Sequence, residues 1–307
     1  MNLAGDDLVA LFYMQKYTFL TIGQAVKVID RGRSYQGMGR RLREIAEDGL
    51  IGGFGGHRIG FVNVPKVYFL KRRGYEVLRD NGFSDELLGR FKEKSEPTWS
   101  PQTNHRLHLI DLFLALEIGI RQIERLELER VFLEYNRVKQ KETLVSETAD
   151  FVVTKKAGMT EIELERQRTP ENKIIPDGAF ILRSKTTGAQ ILYMVEMDMG
   201  TERIISRVTK QTTSPLYERM KKYDRYLMSL SYADKYRQYG KFDHFVVLFI
   251  TVSVERMESL RKKLFDLPDE LHQYYLFSSY DDIMNNFFHK QWKARAINDN
   301  HNYCILG

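Results

Sequence analysis

Leu192-Tyr193-Met194-Val195-Glu196-Met197-Asp198 is the stretch on which the reading of the fold turns. It reads as a β-strand, in which alternate side chains share a face. Glu196 and Asp198 then point the same way, about 7 Å apart at two residues of strand rise. Upstream, Ile175-Pro176-Asp177-Gly178 opens a preceding strand, so Asp177 can come beside them on a β-hairpin. Acidic groups converging at a strand end are how a protein holds a hard cation such as Mg²⁺ or Mn²⁺. A plainer reading is two solvated strand-end acids and an Asp-Gly turn.

Outward from this hairpin, residues 131–200 read as strands, over 131–138, 150–154, 161–165, 178–182 and 190–197. Pro215 starts a helix at its first position, with Leu216, Met220, Tyr223, Leu227 and Leu230 inward. Phe245-Val246-Val247-Leu248-Phe249-Ile250 is a continuous apolar run, as in a strand covered on both faces. A helix over 256–264 and a strand over 274–277 follow. Before the strands, a long helix is expected over 105–130. Its stripe of Leu109, Leu112, Phe113, Leu116, Ile120 and Ile123 is wide enough for core packing or a homodimer interface alike. Strands with helical crossovers make residues 105–292 an α/β domain with a mixed sheet. Residues 95–104, with two prolines, are the expected linker, and 293–307 a frayed tail.

Residues 1–94 have a different grammar. Leu20-Thr21-Ile22-Gly23-Gln24 is a capping box, with Thr21 as N-cap and Gln24 at N3. Ser34 can cap a third helix with Met38, Leu42 and Ile45 inward. Gly52-Gly53-Phe54-Gly55-Gly56-His57-Arg58 leads into β-type runs at 59–62 and 67–70, then a closing helix near Gly74. Three helices, a hairpin and a helix make a winged helix-turn-helix. No acid lies between Arg31 and Arg43, a span that also holds Arg33, Arg40 and Arg41. Such a helix can enter a major groove, its arginines bridging guanine edges or gripping phosphates. Tyr35 and Gln36 at its start, and His57 and Arg58 in the wing, are further DNA contacts in this reading. A solvated basic face used for protein contact is the alternative.

Charge agrees with a basic front. The formal net charge of the 307 residues is +6, and residues 1–94 carry 16 Lys and Arg against 11 Asp and Glu. A basic module joined to a nearly neutral one suits a polyanionic partner. The longest apolar run, 107–123, contains His108, Asp111, Glu117 and Arg121 and is no membrane span. The first residues lack signal-peptide character. One cysteine, Cys304, leaves no internal disulfide framework or Cys-based zinc site, and a reducing cytoplasm is the expected setting. His105 and His108 share a helical face, which suits metal or ordinary packing, and no phosphate-cradling loop or nucleophile elbow is present.

The chain resembles the replication-relaxation family of bacterial plasmids and related mobile elements. The matching pieces are Leu20-Thr21 with Gln24, Gly49-Leu50-Ile51, Val67-Tyr68-Phe69-Leu70 with Gly74, Pro176-Asp177-Gly178, Glu196-Met197-Asp198-Met199-Gly200-Thr201-Glu202 and Lys222-Tyr223-Asp224-Arg225-Tyr226. The resemblance implies a DNA-binding winged helix acting in replication, relaxation or transfer, with DNA and replication or transfer proteins as partners. The second domain is also similar to the restriction-endonuclease-like PD-(D/E)XK fold, with Asp177 and Glu196 in place and Glu117 as a helical acid. Asp198 stands where that fold has its catalytic lysine, and Lys222 is the candidate substitute. A metal-dependent nuclease using Asp177, Glu196, Asp198 and Lys222 is therefore the alternative to a binding module. A winged-helix adaptor or transcription regulator is the third reading.

Overall fold

The computed structural model describes residues 3–29, 32–59, 62–91, 97–140, 142–200, 215–264 and 269–305. The chain divides into two units, Met1–Leu114 and Ala115–Gly307. The first holds α1 (Gly5–Tyr17), β1 (Leu20–Thr21), α2 (Ile22–Val28), α3 (Tyr35–Glu47), β2 (Ile51–Gly55), β3 (Arg58–Ile59), β4 (Val62–Asn63), β5 (Lys66–Leu70), α4 (Arg72–Asp80) and α5 (Asp85–Leu88). A further helix, α6 (Pro101–Ile120), begins inside the stretch read as a linker and crosses the division.

Local chemistry sets the helix starts. The Thr21 hydroxyl accepts from the Gln24 amide at 3.2 Å while Thr21 N–H donates to Gln24 Oε1 at 2.9 Å, closing the capping box. Ser34 caps α3 by accepting from Gly37 N at 3.1 Å. Met38, Leu42 and Ile45 are all buried beneath α3. The main partner of β5 is β2, in an antiparallel sheet ordered β1-β5-β2, and β3 and β4 form a short separate hairpin. The glycine-rich segment is thus largely strand. The reason is packing: a Cβ at Gly52 would lie 2.3 Å from Phe69 Cζ, so only glycine admits that ring across the pair.

The second unit continues with β6 (Leu126–Leu133), β7 (Arg137–Gln140), β8 (Thr143–Ser146), β9 (Asp150–Phe151), α7 (Glu161–Arg166), β10 (Lys173–Ile174), β11 (Gly178–Ser184) and β12 (Gln190–Asp198). Then come α8 (Pro215–Ser229), α9 (Ser231–Tyr236), β13 (Phe245–Thr251), α10 (Val254–Lys263), β14 (Tyr275–Ser279), α11 (Tyr280–Asn285) and β15 (Lys293–Ala294). Six strands form one mixed sheet ordered β15-β14-β13-β12-β11-β6. The β12-β13-β14 pairings are parallel and the others antiparallel. Leu192 and Met194 of β12 join a buried cluster with Leu216, Met220 and Tyr223 of α8 and Met257 and Leu260 of α10. The fold is mixed α+β, as the patterning predicts.

Three further segments differ from the sequence reading. The expected helix over 105–130 ends at Ile120, where Gln122 and Ile123 close turns onto Gly119 and Ile120. Beyond it Leu126-Glu127-Leu128-Glu129 alternates with period two and pairs with β11 as an edge strand. Residues 161–166 are helix rather than strand because Thr160 and Glu163 form a reciprocal cap, at 2.8 and 3.3 Å. The expected frayed tail supplies β15 and a buried anchor. Arg295 is fully buried, pairs with Asp224 at 2.9 Å and stacks 4.2 Å over the Tyr275 ring.

Candidate functional site

In the first unit the arginines divide into two groups. Arg33 Nε lies 3.1 Å from Asp6, and Arg41 grips Asp7 through Nη2 at 2.7 Å and Nε at 3.1 Å. Burial alone would raise the Asp7 carboxyl, but hydrogen bonds from Arg41 and the Ala4 amide, with the charges of Arg41 and Arg33, leave it lowered. The same contacts hold the Arg41 guanidinium firmly protonated. These two cations fasten α3 to α1. Arg40, Arg43, Tyr35 and Gln36 are exposed on α3, and His57 in the β2–β3 turn and Arg58 at the start of β3 are exposed. Arg31 lies outside the described residues.

Beside α3 runs an open groove of about 760 Å³, lined by Tyr35, Gln36 and Arg43 from the helix and Lys66 and Tyr68 from β5. Its walls stay apart because the β2 side is glycine: a Cβ at Gly53 would lie 3.1 Å from Lys66 Cε. Gly55 has φ +73°, and a Cβ there would meet Pro65 O at 2.4 Å. Lys66 and Tyr68 were not singled out in the sequence reading. The signal was present, since both sit at alternate positions on a strand paired with the glycine-rich segment.

In the second unit Glu196 is buried at 2% exposure near the end of β12. Its Oε1 accepts from Tyr223 Oη at 2.6 Å and its Oε2 from Arg219 Nη1 at 3.0 Å, both on α8. Burial pushes Glu196 up to about 7; Arg219 opposes that, and the neighbouring Asp177 charge adds to it. Asp177 Oδ2 accepts from the Met197 amide at 2.7 Å. Asp198, 4% exposed, is bound by Arg256 of α10, with Nε to Oδ2 at 2.5 Å and Nη2 to Oδ1 at 3.0 Å. Gly200 N also donates to Asp198 Oδ1. Asp177 and Glu196 are therefore neighbours, while Asp198 is turned to a different helix.

Lys222, expected as the substitute cation, donates instead to the Lys173 carbonyl at 2.9 Å. Burial, with Arg225 and Arg219 nearby, lowers its pKa. Arg219 and Tyr223 are four residues apart on α8 and share one side, and both reach Glu196, whereas Lys222 turns to the Lys173 carbonyl. Arg219 is the cation that Glu196 meets, and this i, i+4 pair is the signal the sequence reading passed over. Glu117 is buried on α6.

The three acids do not fit a hard divalent cation. Among the described residues, Asp177, Glu196 and Asp198 do not bring three oxygens within 4.8 Å of one another. Both oxygens of Glu196 and of Asp198 accept protein donors, and a guanidinium occupies the place of charge beside each. A Mg²⁺ or Mn²⁺ ion would have to displace those donors and sit against Arg219 or Arg256.

The chain belongs to the replication-relaxation family, which it matches over residues 11–243. That span includes the capping box, the groove, the acids and α8, and it stops before β13, so Arg256 lies beyond it. Membership suggests a role in plasmid or mobile-element replication or relaxation, with DNA or replication proteins as partners. No curated protein matches the chain. No described helix is long and apolar enough to cross a membrane.

Proposed function

We propose that the chain is a DNA-binding protein of its family whose first unit acts as a winged helix on duplex DNA. The observation that carries this reading is the sorting of arginines on α3. Arg33 and Arg41 are spent on α1, whereas Arg40 and Arg43 are exposed, and Arg43 lines a groove with Tyr35, Gln36 and Lys66. Exposed guanidiniums flanked by polar and aromatic side chains suit phosphate grip and base-edge contact. The exposed His57 and Arg58 are suited to the backbone beside the groove. In this reading the second unit is a scaffold that handles or assembles on DNA without hydrolysing it. The engagement of Glu196 by Arg219 and Tyr223, and of Asp198 by Arg256, supports that role.

Fluorescence anisotropy of a labelled duplex across a salt series tests the binding. The log–log salt slope is expected to shrink by about two when Arg40 and Arg43 are both changed to alanine, close to one per lost phosphate contact. Absence of any duplex affinity at low ionic strength, or an unchanged slope in the double variant, refutes the reading. Supercoiled plasmid incubated with Mg²⁺ or Mn²⁺ tests the second unit. Nicking that disappears in Asp177→Ala would establish the metal-dependent nuclease instead.

A further inference from the structure

A cavity of about 580 Å³ lies in the second unit, between the β7–β8 hairpin, the segment around β9 and the end of α9. That volume falls inside the range of about 300–1,000 Å³ usual for small-molecule sites. Three rings meet on its wall. Phe132 is edge-on to Tyr236, with centroids 5.2 Å apart at 75°, and to Tyr239, at 5.0 Å and 74°. Lys235 and Arg168 also line the cavity, together with Asp150.

The charges around it are unevenly committed. Glu147 accepts from Leu133 N at 3.0 Å and pairs with Arg130 at 3.5 Å. Asp234 is held by Lys155 and by Arg237, the latter at 2.5 Å. Asp150 accepts from the Tyr226 hydroxyl, and burial raises its pKa. Lys235 donates to the Ala149 carbonyl at 2.6 Å, which uses one of an ammonium's three hydrogens. Its pKa is lowered to about 8 by burial, against the pull of Asp150 and Glu147. Arg168 meets Glu165 loosely at 3.5 Å and is within electrostatic reach of Asp150. The carboxylates are thus largely satisfied while the cations retain donors, so the unmet demand in this cavity is for an anion. The ring wall asks for a flat apolar group beside it.

We propose that this cavity binds a nucleoside monophosphate unit, its base against Tyr239, the partly exposed ring of the three, and its phosphate on Lys235 and Arg168. An aromatic ring bearing an anion is the chemistry the walls select, and a nucleotide is the form in which a replication-relaxation protein meets it. The unit can come from a free nucleotide or from the end of a DNA strand. The site is separate from the α3 face and from the Glu196 cluster, and it does not depend on the first unit's binding DNA.

Calorimetric titration of the full chain with dAMP and with deoxyadenosine tests it. dAMP is expected to bind about tenfold or more tightly than deoxyadenosine, because a charge-assisted contact is lost with the phosphate. Lys235→Met and Tyr239→Leu should each weaken dAMP by about tenfold while far-ultraviolet dichroism is unchanged. Near pH 8, where burial has lowered the free Lys235 ammonium's pKa, an anion raises it again and binding takes up protons, read from the dependence of the heat on buffer ionisation. A 5′-phosphorylated 12-mer that competes with dAMP identifies a strand end as the source, and one that does not identifies the free nucleotide. Arg40→Ala with Arg43→Ala should leave dAMP binding intact, which separates this site from the duplex-binding surface. No binding of dAMP, or binding indifferent to Tyr239→Leu and Lys235→Met in folded variants, overturns the proposal.

Discussion

Replacing Glu196 with glutamine should remove a large part of the pH dependence of the second unit's stability. In the folded protein burial, with Asp177 adjoining, raises this carboxyl from 4.5 to about 7 against the opposing pull of Arg219. The folded state therefore binds the proton more tightly than the unfolded chain does. Stability contributed by the protonated form is full below about 4.5 and falls as pH rises toward 7. The displacement corresponds to about 3 kcal/mol between those limits. Glutamine keeps an acceptor for the Tyr223 hydroxyl and has no proton to lose. Urea unfolding at pH 5 and pH 8 gives the comparison, read from Trp292, which is fully buried in the second unit. A Trp99→Phe background removes the other indole. With a urea slope of about 2 kcal/mol per molar, the native protein should lose about 1.5 M more in midpoint than the variant across that interval. Parallel midpoint profiles for the two proteins would refute the claim that Glu196 holds its proton near neutrality.

Two substitutions probe the first unit. Arg41→Ala leaves Asp7 buried with only weaker partners and should cost about 2–4 kcal/mol in urea unfolding followed by Trp99 fluorescence, whereas exposed Arg40→Ala should change it by less than about 0.5. The lowered Asp7 pKa stabilises the fold above the unfolded value of 3.8 and loses that effect as pH falls, so the Arg41→Ala deficit should narrow in acid. Gly55→Ala combines φ +73° with a 2.4 Å approach to Pro65 O and should destabilise by more than about 2 kcal/mol, while Gly158→Ala, at φ +79° with nothing within 4 Å, should stay near 1. Equal melting shifts in the two glycine variants would show that the clash contributes nothing.

What could be read from the sequence followed local signals. The capping box at Thr21, the α3 stripe, the Pro215 helix start and the apolar β13 run all reappear because each is decided within a few residues. The 105–130 helix was overextended because leucines at 126 and 128 serve a helical stripe and an alternating strand equally well until the pairing with β11 is known. The Thr160–Glu163 cap lay in plain view, yet Ile162 and Leu164 alternate with acids like a strand. The site was half legible. That Glu196 and Asp198 share a face of β12 follows from the period of a strand. That each meets an arginine from a different helix does not, because Arg219 is 23 residues and Arg256 58 residues away in sequence.

Those two arginines give the acids a different meaning from the one their spacing suggests. α8 and α10 pack on the same buried face of the sheet as Leu192 and Met194, and apolar packing of this kind is tolerant of sliding. Glu196 and Asp198 stand two residues apart at the end of β12, one bonded to α8 and the other to α10. A shift of α10 by one turn would leave the Asp198 carboxylate, at 4% exposure, facing no cation, a loss of about 3–5 kcal/mol, and a shift of α8 would take Arg219 and Tyr223 away from Glu196. The pair therefore fixes which turn of each helix meets the strand end, even where buried ion pairs add little net stability. A third pair, Arg295 with Asp224 of α8, holds the C-terminal segment in the same way. Read this way, the acidic run of β12 is a register mark for the helices that cover it, and the same positions that resemble a metal site are filled from within the chain.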